Sequence, residues 1–317
     1  MPSKNSPSVS IVIPNYNGVK ILGPCLQSAL SALSYANLQG EVIVSDDHSS
    51  DDSVSFIAEN FPQVKLITND HNLGFAGNIN RGLRATTMDL VFAMNSDLTL
   101  EKDYFIEQLA YFEDDRTFAV MGALRDAQSK KNLPISLYPQ QNFWGITQTH
   151  SVPNYEYDKP IPIFFASGSN SLMCRQKLMQ LQYFSELYNP YYGEDNDLGL
   201  KAWRMGWRSY YHPTSHCYHL GSSTIKASSN RKKVRLISRR NKLIFHYFHL
   251  QGWQSIVFQV KILLDLLTRM FIFDFQYYRA FLMFLKLLPM IQREKITHSF
   301  LYSTAQTIHY IQNKMHP

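Results

Sequence analysis

Four short apolar runs, three of them closed by a polar cluster, constrain this chain more than any other feature. Val9-Ser10-Ile11-Val12-Ile13 leads into Pro14-Asn15-Tyr16-Asn17, and Val42-Ile43-Val44 leads into Ser45-Asp46-Asp47. Leu90-Val91-Phe92-Ala93-Met94 leads into Asn95-Ser96-Asp97, and Val64 to Ile67 forms the remaining run. Runs this short, rich in Val and Ile, read as strands buried on both faces. Residues 19–34 between the first two runs place Ile21, Leu22, Cys25, Leu26, Ala29, Leu30 and Leu33 at helical spacing. Ser49-Ser50-Asp51-Asp52 matches a capping box opening a helix to about Asn60, residues 75–86 read as a further helix, and Ala119 to Ala123 adds a strand. Strand and helix in alternation predict an α/β fold: a mostly parallel, doubly wound sheet with helices on both faces. Such sheets bind ligands beyond the carboxyl ends of their strands, where these polar clusters lie.

Hydrophobic residues make up 45% of the 317 positions, enough for a packed core. Cys25, Cys174 and Cys217 are far apart and odd in number, which argues against a disulfide framework and suits a reducing compartment. The first apolar run is too short for a signal-peptide core, so no leader is expected. The net charge of +6 is local: eight Lys or Arg fall between Lys226 and Lys242 with no acid, so the rest of the chain is slightly acidic. A local basic run points to a local anionic partner, nucleic acid or lipid.

The clusters have chemical readings and plainer ones. Asn95-Ser96-Asp97 offers a carboxylate to a hard cation such as Mg²⁺ or Mn²⁺, which takes one or two carboxylates and completes its shell with phosphate and water. Its plain alternative is a turn. Asp46-Asp47 either accept hydrogen bonds from a nucleotide or balance a helix dipole. Asn72-Leu73-Gly74-Phe75 through Asn80-Arg81-Gly82 is glycine-bearing, yet neither a P-loop nor a GxGxxG turn occurs. Gly193-Glu194-Asp195-Asn196-Asp197 opens a helix that Gly206 stops; its acids either balance the dipole or supply a general base. Tyr191-Tyr192 before it suits a sugar-binding wall or core packing. His212, His216 and His219 crowd eight residues; one could complete a metal shell, and an all-His zinc site would leave the acids unexplained.

In this order, the segments resemble the family 2 inverting glycosyltransferases of the GT-A fold, including rhamnosyltransferase-like enzymes of bacterial cell-surface polysaccharide synthesis. Val9 to Gly18 is similar to the opening strand and nucleotide loop, and Val44 to Ser53 to the second-strand motif. Asn72 to Gly82 is similar to the NxGF…NxG segment, Asn95-Ser96-Asp97 to the DxD position, Gly193 to Leu198 to the base motif, and His219-Leu220-Gly221-Ser222-Ser223 to the late H-x-G-x-S segment. The resemblance covers roughly residues 9–224. It implies that Asp97 holds a divalent cation (Mg²⁺ or Mn²⁺), with Asn95 in place of the first acid and His219 assisting at the metal or diphosphate. Asp47 with Asp46 would read a pyrimidine base. Pro14, Asn15, Tyr16, Asn17, Gly74, Phe75, Asn80 and Ser96 would line the nucleotide. Asp195 would be the base, oriented by Glu194. The donor would be a UDP- or dTDP-linked sugar and the acceptor a glycan or lipid-linked oligosaccharide.

Residues 243–291 are aromatic and apolar, but Lys261, Asp265, Arg269, Asp274, Arg279 and Lys286 interrupt them, which argues against a membrane-spanning helix. Lys261, Asp265 and Arg269 form one charged stripe at four-residue spacing. The expectation is amphipathic helices lying on an anionic membrane surface, with packing on the catalytic domain or on a second copy (a homodimer) as the alternative. The expected division is a GT-A catalytic domain over 1–225, split into a nucleotide half (about 1–124) and an acceptor half (about 125–225), then a basic linker and helical segment over 226–317. Residues 125–165 read as loops over the site. The expected location is cytoplasmic, peripheral at the inner face of the plasma membrane. Competing readings are a sugar nucleotidyltransferase, which would open with a glycine-rich phosphate loop, and a binding protein without catalysis; no nucleic-acid recognition module is present.

Overall fold

The computed structural model describes residues 7–133, 138–149, 161–220 and 231–315. The chain opens with the expected alternation: β1 (Val9–Asn15), α1 (Val19–Tyr35), β2 (Gly40–Asp46), α2 (Ser53–Asn60), β3 (Lys65–Thr68), α3 (Gly74–Arg84) and β4 (Leu90–Met94). Ile11, Val12, Ile13, Ile43, Val44, Phe92 and Ala93 have no exposed surface, the signature of strands covered by helices on both faces. Leu22, Cys25, Leu26, Ala29, Ala32 and Leu33 bury one stripe of α1 against the sheet.

β5 (Leu98–Leu100), β6 (Thr117–Asp126), β7 (Tyr138–Asn142), β8 (Gly145–Thr149), β9 (Ile161–Ile163), β10 (Asn170–Cys174), α4 (Arg175–Gln180), α5 (Glu194–Arg204) and β11 (Arg208–His219) follow. The main sheet runs β3-β2-β1-β4-β10-β6-β11-β5, with β9 on β11. Its β3-β2-β1-β4 half is parallel throughout. The direction reverses at β10, antiparallel to both β4 and β6, while β11 again runs parallel to β6. Winding changes sides at β1, so the carboxyl ends of β1, β2 and β4 form one crevice.

The span read as loops contains order. β7 and β8 pair as a hairpin, and the Ile146 N–H approaches His246 Nε2 at 3.1 Å. Its polar, aperiodic strands carry no local signal; a tertiary partner sets their register. Residues 150–160 of that span lie outside the described residues.

Four helices close the chain: α6 (Arg231–His249), α7 (Gly252–Phe271), α8 (Phe275–Thr297) and α9 (Thr304–Met315). Leu243, Ile244, Phe248, Phe284, Ile291 and Ile308 join one buried cluster with Leu198, Leu200 and Trp203 of α5. A boundary at 225/226 therefore does not separate two cores, and α6, α9 and one face of α8 pack as walls of the α/β fold. No helix among the described residues is long and apolar enough to cross a membrane.

Candidate active site

The crevice is built first from paired polar groups. Asn15 and Asp46 lie in register at the ends of β1 and β2, and Asn15 Nδ2 donates to Asp46 Oδ2 at 2.8 Å. Ser49 donates to the same carboxylate from its N–H (2.9 Å) and its hydroxyl (2.6 Å). The expected capping box is not formed. Ser49 and Ser50 bond Asn17 instead, and α2 starts from Asp52 with no side-chain cap. Hydroxyls that can cap a helix also bond nearby loops, and here the loop wins. Gly18 is required on steric grounds, because a Cβ would sit 2.2 Å from Asn15 Oδ1. Pro14 is half-buried, whereas Tyr16 is 39% exposed and is the open aromatic of this loop.

Two expected nucleotide contacts are engaged by the protein itself. Asp47 accepts from the Leu73 N–H (2.7 Å), the Gly74 N–H (3.0 Å) and Asn69 Nδ2 (3.0 Å), so it holds the start of α3. Asn80 donates to Phe184 O (2.8 Å) and accepts from the Phe184 N–H (3.1 Å). This buried amide is a strut between α3 and the segment before α5. Gly74, at φ +73°, and Phe75 meet the Asn189–Pro190 turn, where the Phe75 N–H donates to Pro190 O at 3.3 Å. A shared glycine-asparagine motif cannot reveal which of its groups other parts of the chain consume.

One pole of the crevice is Asp97. It is 8% exposed, just past β4, with half-buried Ser96 before it. His219, the last residue of β11, places Nε2 3.2 Å from Asp97 Oδ2, while Oδ1 is buried with no hydrogen-bond partner among the described residues. A buried carboxylate oxygen without a donor is costly, and a cation relieves that cost. The oxygen–nitrogen pair fits a hard cation that draws its other ligands from phosphate and water. The other two histidines diverge: His216 faces Glu101 at 3.4 Å and His212 packs edge-on against Tyr111. Among the described residues no cluster of three or more His, Cys, Asp or Glu could hold a metal, so the all-His zinc reading finds no support there. Gly221, Ser222 and Ser223 of the late motif, with Lys226 of the basic run, lie outside the described residues.

The other pole is the start of α5. Asp195 Oδ1 accepts from the Gly168 N–H at 2.9 Å. A Cβ on Gly168 would lie 2.9 Å from that oxygen, so only glycine allows this approach. Ser169 O, one residue on, accepts from the Asn95 N–H at 2.9 Å. The Gly168-Ser169 segment at the mouth of β10 thus touches both the Asp195 side chain and the loop of Asp97. Burial pushes the Asp195 carboxyl up to about 6, although the Gly168 N–H and the Ser167 hydroxyl hold it down. Burial, and then the neighbouring Asp195 charge, push Glu194 up to about 8. Glu194 Oε2 is buried with no hydrogen-bond partner among the described residues.

Asp197 is different. Despite burial, Lys201 and His249 hold its carboxyl well below the usual range. Lys201 Nζ lies 2.6 Å from Asp197 and 2.8 Å from Glu294 of α8, and His249 Nε2 lies 2.8 Å from Asp197. Arg240 and Asn241 of α6 clamp the turn before α5, donating to the carbonyls of Tyr188 (3.2 and 3.0 Å respectively), and Asn241 also donates to Tyr191 O at 3.0 Å. Tyr191 is buried, while Tyr192 is 46% exposed at the lip of the turn. These supports escape a sequence reading because Arg240 sits in a basic run and His249 in an aromatic one. Ser167-Gly168-Ser169, a small polar run before a strand, was the one available signal for the segment that touches Asp195.

Residues 10–181 match the model of Glycosyl transferase family 2. The chain is 24% identical over 227 residues to chondroitin synthase of Escherichia coli, covering 62% of this chain and 32% of that protein. It is 25% identical over 224 residues to the N-acetylglucosaminyl-diphospho-decaprenol L-rhamnosyltransferase of Mycobacterium tuberculosis, covering 62% and 72%. The match spans less than half the length of several curated relatives. In fold, it is similar to S. aureus TarS in complex with UDP-GlcNAc, with TM-score 0.56, 14% identity and coverage of 96% and 90%. It is also similar to a mannosyltransferase from Pyrobaculum calidifontis in complex with GDP-Man and Mn²⁺, with TM-score 0.54, 16% identity and coverage of 97% and 88%.

Proposed function

Because the chain belongs to the glycosyl transferase family 2, we propose that it moves a sugar from a nucleoside-diphosphate sugar to a hydroxyl of a glycan or lipid-linked acceptor, inverting the anomeric centre. The observation that carries this reading is the pairing of poles: the partnerless oxygen of Asp97 and the buried carboxylate of Asp195 flank one backbone segment. The donor, UDP- or dTDP-linked, lies over β1 and β2. Tyr16 meets the base, and Asp46, whose Oδ1 accepts only the Ser49 N–H among the described residues, keeps acceptor capacity for a base N–H. Asp97 and His219 hold the divalent cation, which supplies positive charge to the diphosphate leaving group.

Asp195 takes the proton from the acceptor hydroxyl. That oxygen bonds to the anomeric carbon as the bond to the diphosphate oxygen breaks and its electron pair leaves with the diphosphate. One displacement inverts the centre, and no enzyme nucleophile is needed. Glu194, whose carboxyl is pushed up by burial and the Asp195 charge, stands beside Asp195 and can orient the acceptor.

The test is thermal shift with UDP- and dTDP-sugars, with and without Mn²⁺. Saturating donor at about a hundred times Kd adds about 2.7 kcal/mol of stability. The wild-type protein is expected to show that gain only with Mn²⁺, and Asp97→Ala is expected to lose it. Metal-independent donor binding that Asp97→Ala retains would sink the assignment.

A further inference from the structure

We propose that the hairpin of α7 and α8 is an interfacial anchor that lays its outward face on an anionic lipid bilayer. The charged stripe of Lys261, Asp265 and Arg269 is half-buried and paired. Lys261 pairs with Asp265 at 2.5 Å, and Arg269 and Arg239 share Asp274 at 2.6 and 2.8 Å. The Tyr277 hydroxyl also donates to Asp265 at 3.3 Å. With Lys261 and Asp265 paired along α7 and Arg269 paired with Asp274 of the following turn, α7 presents an apolar outer face. Trp253, Ile256, Val260, Leu263, Leu267 and Phe271 recur every three or four residues, and all are exposed. The stripe runs the whole 20-residue helix, about 30 Å at 1.5 Å per residue.

Both ends of the stripe are aromatic. At one end Trp253 packs against Phe143 of the β7–β8 turn at 6.2 Å, and Phe143 and Trp144 are themselves exposed. At the other, Phe271 and Phe273 at the hairpin tip are 76% and 74% exposed. A soluble monomer rarely shows a continuous apolar surface of this length, and such a surface marks an interaction site.

Charge identifies the occupant. The outward ridge of α8 alternates Phe275, Arg279, Leu282, Lys286, Met290 and Arg293, all exposed. Long basic side chains among apolar ones can lie along hydrocarbon and reach headgroup phosphates. From residue 231 to 315 the acids are Asp265, Asp274 and Glu294, and each is in an ion pair. The exposed charge on this face is therefore positive, the complement of an anionic bilayer. Two bases of the 226–242 run, Arg239 and Arg240, are engaged inside the fold, and α8 adds Arg279, Lys286 and Arg293 to the exposed positive charge. Duplex DNA would match the charge but leave the apolar stripe in water.

The test is co-sedimentation of the full chain with vesicles of phosphatidylcholine alone and with added phosphatidylglycerol. Binding is expected with the anionic vesicles and is expected to fall with salt. Phe271→Ser/Phe273→Ser, at exposed tip positions, is expected to lower the bound fraction about tenfold or more. Arg279→Glu/Lys286→Glu is expected to abolish the preference for anionic vesicles, and both variants should keep the wild-type melting temperature. Either variant binding anionic vesicles as wild type overturns the proposal. So does a dimer in solution that Phe271→Ser/Phe273→Ser disperses, which would assign the face to a second copy, or duplex DNA binding in place of vesicle binding.

Discussion

Asp195→Asn is expected to lower sugar transfer by about a hundred- to ten-thousand-fold while leaving donor binding in place. The amide keeps the shape and can still accept from the Gly168 N–H, but it cannot take a proton at neutral pH. The carboxyl is pushed up to about 6 by burial, with the Gly168 N–H and the Ser167 hydroxyl opposing. The base acts ionised, so kcat/KM is expected to rise with pH through about 6 and level off above it. Glu194 and Asp195 are neighbours and titrate as a pair, with the lower step assigned to Asp195. Steady-state transfer across pH 5 to 8, beside donor affinity by calorimetry, separates catalysis from binding. Wild-type transfer by Asp195→Asn, or weaker donor binding with kcat unchanged, would overturn the role.

The second large effect is on stability. Lys201 is buried between Asp197 and Glu294, so Lys201→Met leaves Asp197 in the interior without its cation. Breaking a buried pair from one side costs roughly 3–5 kcal/mol, measured by urea unfolding at pH 7. Adding Asp197→Asn to Lys201→Met is expected to cost less than the sum of the two single changes, because the orphan charge is then gone. His249 sharpens the acid side of the profile. Burial pushes its imidazole down to about 4, against the pull of Asp197. The unfolded chain binds a proton below about 6.5 that the folded chain refuses until about 4, so stability falls as pH drops through that window. Additive single-site losses would show that the charges do not act as one network.

Asp195 and Asp197 show where a sequence reading stops. Both occupy the first turn of α5, and both read there as dipole-compensating acids. Only the packed fold gives one a backbone N–H at the mouth of β10 and the other an ammonium and an imidazole from its own and a distant helix. Asp46 and Asp47 divide in the same way, because Asp47 is claimed by the start of α3.

By itself, the sequence determined the alternation of strand and helix, the polar ends of β1, β2 and β4, and the order of the motifs, because period and turn chemistry are local. The tertiary structure alone decided which acids are supported, which amides are spent as struts, and which side of α7 faces out. Helical period reveals that two faces differ. Which face meets the core depends on ion-pair partners such as Arg239 and Asp274, which distant helices supply.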